Sequence, residues 1–136
     1  MAAVAVAAAL LSCQKKNPEQ ELIQKVEPVG SWLAALQMTG EKWTANSVPD
    51  AFVRTTVEAA RGPFEQAAQD TAESTARSAV RDPLRKLISD GEAESDRLRR
   101  DAAAQDRGAA APVIRRLAAL RVSFAALKKT CEETPP

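Results

Sequence analysis

The sequence from Pro112 to Cys131 reads PVIRRLAALRVSFAALKKTC. Its apolar positions recur at spacings of 4, 3, 4, 3 and 4, and these positions are Val113, Leu117, Leu120, Phe124, Leu127 and Cys131. An alternation of three and four residues places side chains on one face of an α-helix. The stretch therefore predicts a long helix that buries one face, and the rest of the chain has to supply the surface against which that face packs.

The same alternation occurs in two earlier segments. The first contains Val29, Trp32, Leu36, Thr39 and Trp43. The second keeps the alternation for eight positions, which are Val53, Val57, Ala60, Phe64, Ala67, Thr71, Ser74 and Ser78. Gly62-Pro63 interrupts the second segment, but the phase is the same on both sides, which indicates a kink within one helix. The chain thus contains three helical segments that can share a core.

Composition agrees with an all-α fold. The chain is rich in Ala, only 4% of its residues are aromatic and only five are Gly. Ala, Leu, Glu, Gln, Lys and Arg are strong helix formers, and no useful run of alternating apolar and polar residues indicates a strand. A length of 136 residues fits one domain.

Two turns set the predicted topology. Residues 46–50 (NSVPD) end the first helix, and Ser89-Asp90-Gly91 suggests a second reversal with Gly91 as a left-handed C-cap. Reversals at these two places predict an antiparallel three-helix bundle, or long helical hairpin, from which residues 71–108 project as an Ala-rich arm. The residues expected to be most buried are Phe64, Leu117, Leu120 and Phe124.

The arm and the two tryptophans supply candidate contact sites. Four large apolar residues lie near the tip of the predicted arm, where they either close the hairpin or contact a partner or a second copy. Trp32 and Trp43 lie three turns apart on one helix face, which is either core or an exposed binding stripe. The candidate partner contacts are therefore Leu84, Leu87, Ile88, Leu98, Trp32 and Trp43.

The N-terminus has a pattern of its own. Residues 2–11 form an apolar run without charge, and Leu10-Leu11-Ser12-Cys13 ends it. This resembles the lipobox of bacterial lipoproteins, in which a small residue precedes an invariant Cys. The resemblance implies that residues 1–12 are a cleaved signal peptide and that Cys13 carries lipid. Residues 13–28 are then a lipid-anchored tether, 29–131 the helical domain and 132–136 a disordered tail.

The resemblance also implies a location. It places the protein in the bacterial cell envelope, facing the periplasm, with the membrane as a partner through lipid on Cys13. Gln14 and not Asp follows the Cys, which slightly favours the outer membrane. The apolar run itself is too short to span a bilayer, which needs about 20 residues. The alternative is a soluble cytosolic helical protein, such as an oligomerising coiled coil, with residues 1–13 as an apolar helix.

Residues that could carry chemistry are scarce. The chain has no His, so it lacks Ser-His and Cys-His nucleophile pairs and His-based metal helices. It has no Gly-rich phosphate loop, and a zinc site would rest on Cys131 beside Glu132 and Glu133, which fit a helix end better. We therefore expect no enzyme activity, cofactor, metal or small-molecule substrate. Cys131, if Cys13 carries lipid, is a free thiol or forms an intermolecular disulfide.

Charges are balanced overall, with a net charge of +1. Carboxylates near residues 92–106 alternate with arginines at helical spacing, which predicts surface salt bridges. The last helix is basic through Arg115, Arg116, Arg121, Lys128 and Lys129. This stripe is either a solvated face or a contact for anionic headgroups, sugar phosphates or nucleic acid. Nucleic acid is not expected, because no aromatic residues alternate with the charges and the compartment disagrees.

The sequence as a whole predicts a small lipid-anchored envelope protein that acts as a helical binding or scaffolding module. Its partners would be the membrane and either a protein or a second copy of the chain. Nothing in the sequence identifies a more specific role.

Overall fold

A computed structural model describes residues 17–133. This part of the chain is helical without strands, so the prediction of an all-α bundle is confirmed. A three-residue 3₁₀ turn, Arg107–Ala109, precedes the last helix. The helices are α1 (Pro18–Lys25), α2 (Glu27–Thr44), α3 (Asp50–Glu73), α4 (Ser78–Ala103) and α5 (Ala110–Glu133).

Four long helices form the bundle. Helix α2 packs against α3 and α5, and α4 packs against the same two helices on the other side. Short connections make successive helices antiparallel. The short helix α1 lies across one end, in contact with α3 and α5. The core is therefore enclosed by α2, α3, α4 and α5, and α1 covers one end of it.

The predicted turn at Asp90-Gly91 is wrong, because α4 is continuous from Ser78 to Ala103. Gly91 is buried within that helix. A Cβ atom built on it would lie 2.9 Å from Cε1 of Phe64 and 3.3 Å from Cδ2 of Leu33. Gly91 thus lets α4 approach the core closely and does not reverse the chain. As a consequence no arm projects: the bundle has four long helices where three were expected.

The true helix ends use residues other than glycine. Asn46 and Gln105 have left-handed backbones, with φ of 61° and 56°. After each of them the next N–H reaches back to close the helix. The Ser47 N–H donates to the Lys42 carbonyl at 2.8 Å, and the Asp106 N–H donates to the Asp101 carbonyl at 3.0 Å. This is the Schellman pattern that ends many helices.

The connection between α3 and α4 also falls where the sequence indicated continuous helix. Ser74 ends α3 in an extended conformation, and its hydroxyl accepts the Ala76 N–H at 3.0 Å. Ser side chains can satisfy backbone N–H groups outside a helix. The chain therefore reverses between Glu73 and Ser78.

Helix α1 belongs to the folded body. The Asn17 side chain accepts the Gln20 N–H at 2.8 Å, so Asn17 is its N-cap. Leu22, Ile23 and Val26 are buried in the core. The part of the expected tether that the structure describes is thus a packed helix, and the folded body begins by Pro18 instead of residue 29.

The predicted core is largely confirmed. Phe64, Leu117 and Phe124 are buried, and Leu120 is partly buried against them. In α2 the buried row differs from the prediction at one position. Leu33 is buried there, and the neighbouring Trp32, which was expected in the row, is only partly buried. The buried positions of α2 are Val29, Leu33, Leu36, Thr39, Gly40 and Trp43.

Candidate functional site

Most of the predicted contact residues lie in the core. Five of the six are buried: Leu84, Leu87, Ile88, Leu98 and Trp43. Burial of Trp43 agrees with the core alternative, and no apolar tip is exposed, because the continuous α4 carries the first four residues inward. Trp32 is partly buried and packs against the same core. Cys13, the predicted lipidation site, lies outside the described residues.

Trp43 has a structural role at one end of the bundle. Its indole N–H donates to Oδ1 of Asp50 at 2.7 Å, and its carbonyl accepts a hydrogen bond from Nε of Arg107 at 3.0 Å. The Arg107 guanidinium also lies over the ring, 5.3 Å from its centroid, a cation–π arrangement. These contacts join the ends of α2, α3 and the 3₁₀ turn.

Cys131 has a similar structural setting at the other end. It is 1% exposed, and burial raises the pKa of its thiol. Nearby, Glu19 of α1 accepts a 2.6 Å hydrogen bond from Arg77, which precedes α4. The folded chain therefore does not offer Cys131 for an intermolecular disulfide. Within residues 17–133 no group of three His, Cys, Asp or Glu side chains could hold a metal ion.

An unburied apolar surface is found on α5, on the side opposite its core residues. At the middle of this surface Val122 is 71% exposed. Alanines lie one turn before and after it, and basic residues end the row at both sides. We call this row the outer stripe: Arg115, Ala118, Ala119, Val122, Ala125, Ala126 and Lys129.

Helix α5 carries only positive charge along most of its length. Five basic residues and no acid occur from Ala110 to Cys131. Two of the five turn to the side and reach α2: Arg121 donates to Gln37 at 2.8 Å, and Lys128 pairs with Glu27 at 2.7 Å. Lys129 lies 4.0 Å from Glu133 at the helix end. From Arg115 to Lys129 the outer stripe thus contains only basic and apolar residues, and Glu133 follows one turn later at the helix end.

A groove lined by arginines lies beside the outer stripe, between α4 and α5. Its volume is about 430 Å³. Arg116 points about 100° around α5 from Arg115 and pairs with Glu94 of α4, so the groove flanks the outer stripe on its α4 side. We call this cavity the arginine groove, and it is lined by Arg97, Arg100, Asp101, Ala104, Ala109, Val113 and Arg116.

A buried carboxylate orients two of these arginines. Glu94 of α4 is 4% exposed. Its Oε1 accepts a hydrogen bond from Nη1 of Arg97 and forms an ion pair with Nε of Arg116 at 3.0 Å. Each guanidinium carries five N–H donors, and both side chains are about half exposed, at 46% and 50%. Glu94 therefore fixes two guanidiniums from neighbouring helices while they still reach solvent.

The other charged groups of the groove modify its field. Arg100 pairs with Asp96 at 3.3 Å. Oδ2 of Asp101 is buried and has no hydrogen-bond partner among the described residues. Burial, and then the charge of Asp106, raises the pKa of the Asp101 carboxyl, whereas Arg100 acts in the opposite direction.

Sequence reasoning identified the basic character of α5 but missed the groove. The spacing of Glu94 and Arg97 signals an i,i+3 ion pair. The contribution of Arg116 could not be read from the sequence, because it depends on how α4 and α5 pack. The predicted salt bridges of this region do occur, as in the pairs of Asp96 with Arg99 at 2.7 Å and with Arg100.

Comparison with known protein families, curated proteins and solved structures finds no match. None of the helices between residues 17 and 133 is long and apolar enough to cross a membrane. The chemistry of the exposed surfaces is therefore the basis for assigning a role.

Proposed function

We propose that the chain is a small envelope protein anchored by lipid on Cys13, whose helical body is a binding or scaffolding module. The observation that carries the proposal is the sequence Leu10-Leu11-Ser12-Cys13 after an uncharged apolar run. In this proposal residues 1–12 are removed and Cys13 becomes the lipidated N-terminus. The protein then faces the periplasm of a bacterial envelope, and Gln14 slightly favours the outer membrane.

The position of α1 supports a body held close to its anchor. Helix α1 begins at Pro18 and its apolar residues are buried in the bundle. Pro18 is only five positions after Cys13, and a fully extended chain spans about 3.5 Å per residue. The link therefore spans at most about 18 Å. Such a short tether raises the effective concentration of the body for membrane-bound partners.

A binding module fits the side chains better than an enzyme does. The chain has no His, which removes the commonest general base. The most concentrated polar cluster, around the arginine groove, consists of guanidiniums and carboxylates in ion pairs. Guanidiniums bind anionic groups and do not supply a nucleophile at neutral pH. We therefore propose recognition without catalysis.

Metabolic labelling with palmitate tests the anchor. Wild-type protein should incorporate label and partition into detergent, and its N-terminal peptide should carry the mass of an acylated Cys13. Cys13→Ser should lose all three properties. Cys131→Ser is the matched control and should keep them, because Cys131 is buried in the bundle.

The same experiment separates the alternative role. A soluble cytosolic oligomerisation protein would show an unmodified N-terminal peptide and no incorporated palmitate. It would also sediment as an oligomer independently of Cys13. That combination would overturn the proposed anchor.

A further inference from the structure

We infer that the outer stripe and the arginine groove together form a surface by which the folded body lies on an anionic lipid bilayer. The inference goes beyond the proposed anchor, because this surface belongs to the folded body and does not need lipid on Cys13. The bilayer would contact the apolar centre of the outer stripe, and lipid phosphates would contact the basic residues around it.

The outer stripe has the form of an interfacial helix face. Its apolar residues lie between Arg115 and Lys129, which are 14 positions apart and hence about 21 Å along the helix axis. Val122 at the centre is 71% exposed, although a β-branched apolar side chain gains nothing from contact with water. Helices that lie in a membrane interface combine an apolar row with Lys and Arg at its margins.

Charge complementarity selects an anionic surface. The five basic residues of α5 are followed by acids only at Glu132 and Glu133. The whole chain is nearly neutral, with a net charge of +1, so the positive charge on this helix is a local feature. Basic residues near an anionic leaflet contribute about fivefold each to binding at ordinary ionic strength.

The arginine groove supplies directed contacts to phosphate. Arg97 and Arg116 come from different helices and are fixed by the buried Glu94, and Arg100 lies on the same groove. Guanidiniums form paired hydrogen bonds with phosphate oxygens. Because Glu94 has already ordered two of them, little side-chain freedom is lost when an anion binds.

The same charges disfavour a second copy of the chain as the occupant. An antiparallel, two-fold contact centred on Val122 would place Arg115 of one copy against Lys129 of the other. A parallel contact would place each basic residue against itself. Like charges directly opposed weaken an interface, so the bilayer fits the outer stripe better than self-association does.

Vesicle co-sedimentation of the full chain tests the inference. The starting protein carries Cys13→Ser, so that acylation plays no part. Vesicles of phosphatidylglycerol should bind it more tightly than vesicles of phosphatidylcholine, and the difference should shrink as salt is raised. Arg115→Gln and Lys129→Gln should each weaken binding about fivefold, and both combined with Arg100→Gln on the order of 100-fold. Val122→Asp should weaken it as well.

Matched controls lie on other faces of the bundle. Arg54→Gln removes one exposed positive charge from α3, and Met38→Asp changes an exposed apolar residue of α2. Both should leave the affinity for phosphatidylglycerol unchanged. Circular dichroism of every variant checks that the fold is retained, which is expected because the residues substituted on α2, α3, α4 and α5 are exposed.

Three results would overturn the inference. The first is equal affinity for the two vesicle types, and the second is equal loss in the control variants. The third is a failure to bind phosphatidylglycerol while Val122→Asp dissociates an oligomer or abolishes capture of an acidic protein. Because Cys13 is absent throughout, failure of this test and failure of palmitate labelling are distinguishable.

Discussion

The two faces of α5 both carry apolar residues but have opposite surroundings. On the inner face Val113, Leu117 and Phe124 are buried against the other helices. On the outer face Val122 is exposed between alanines. The inner residues are explained by packing, because burial of apolar area drives folding. Packing gives no reason for the outer ones.

The structure of α5 thus distinguishes the apolar residues that hold the fold from those that packing does not explain. A periodic pattern of large apolar residues reveals the buried face of a helix. In α5 the opposite face is alanine, valine and basic residues, so its sequence indicates the fold and leaves the second role unmarked. Exposed apolar surface with a charged margin is typical of contact sites.

The largest expected effect on stability comes from comparing one substitution on each face of α5. Phe124→Ala should lower the free energy of unfolding by about 3–5 kcal/mol, because it opens a cavity in the core. Val122→Ala, two residues away on the outer face, should change it by less than about 0.5 kcal/mol. Urea unfolding of both variants measures the difference. Equal losses would mean that α5 is rotated relative to the orientation described here.

Two glycines extend the comparison of packed and open positions to other helices. Gly91→Ala should cost about 1–3 kcal/mol of stability, because the new Cβ would meet Phe64 and Leu33 in the core. Beyond its chain neighbours and its own helix backbone, Gly62 has no atom within 4 Å of its would-be Cβ. Pro63 follows it, and a Cβ on the residue before proline disfavours helical backbone, so Gly62→Ala should change the stability by less than about 1 kcal/mol. Thermal unfolding checks both, and a stabilising Gly91→Ala would refute the close approach of α4.

The packing of α1 near Cys131, at the end of the inner face of α5, should depend on pH. Hydrogen bonding to Arg77 holds the pKa of Glu19 below its ordinary value of 4.5. A lowered folded-state pKa stabilises the docked α1 above about pH 4.5, and that stabilisation is lost as pH falls through the folded-state pKa. Acidification should therefore weaken the docking of α1 and make Cys131 more accessible.

The readout is the rate at which a thiol reagent modifies Cys131 in a Cys13→Ser chain at each pH, divided by the rate for the same chain unfolded in urea at that pH. Glu19→Gln should raise this ratio at neutral pH and flatten its dependence on pH. Glu21→Gln is the control, because Glu21 is exposed and pairs with Lys25 within α1. A rate unaffected by Glu19→Gln would show that this ion pair does not hold α1 in place.

Helix existence and most of the core could be predicted from spacing alone. The stripes of α3 and α5 could be read because the spacing of three and four residues keeps its phase along each helix. Chain reversals were harder. The chain reverses between Ser74 and Ser78, although these residues continue the helical spacing. Gly91, by contrast, follows a pattern typical of a turn and lies inside a helix. Glycine has two uses, left-handed backbone and close packing, and a single sequence does not distinguish them.

The wrong prediction of a turn at Gly91 also led to a wrong placement of the candidate contact residues. A reversal at Gly91 would place Leu84, Leu87 and Ile88 at an exposed tip, whereas continuous α4 buries them. The arginine groove needed the packing of α4 on α5 before Arg116 and Glu94 could be paired. By contrast, the basic nature of α5 was visible at once, because charge is a property of composition and does not depend on packing.

The central claim is that the outer face of α5 is free in the folded protein and covered at an anionic bilayer. Val122→Cys in a Cys13→Ser chain tests it most directly, since buried Cys131 gives a slow background. The labelling rate of Cys at position 122 should approach that of a free thiol in solution and fall when phosphatidylglycerol vesicles are added, but not when phosphatidylcholine vesicles are added. Slow labelling in solution, or a rate that neither vesicle changes, would contradict the claim.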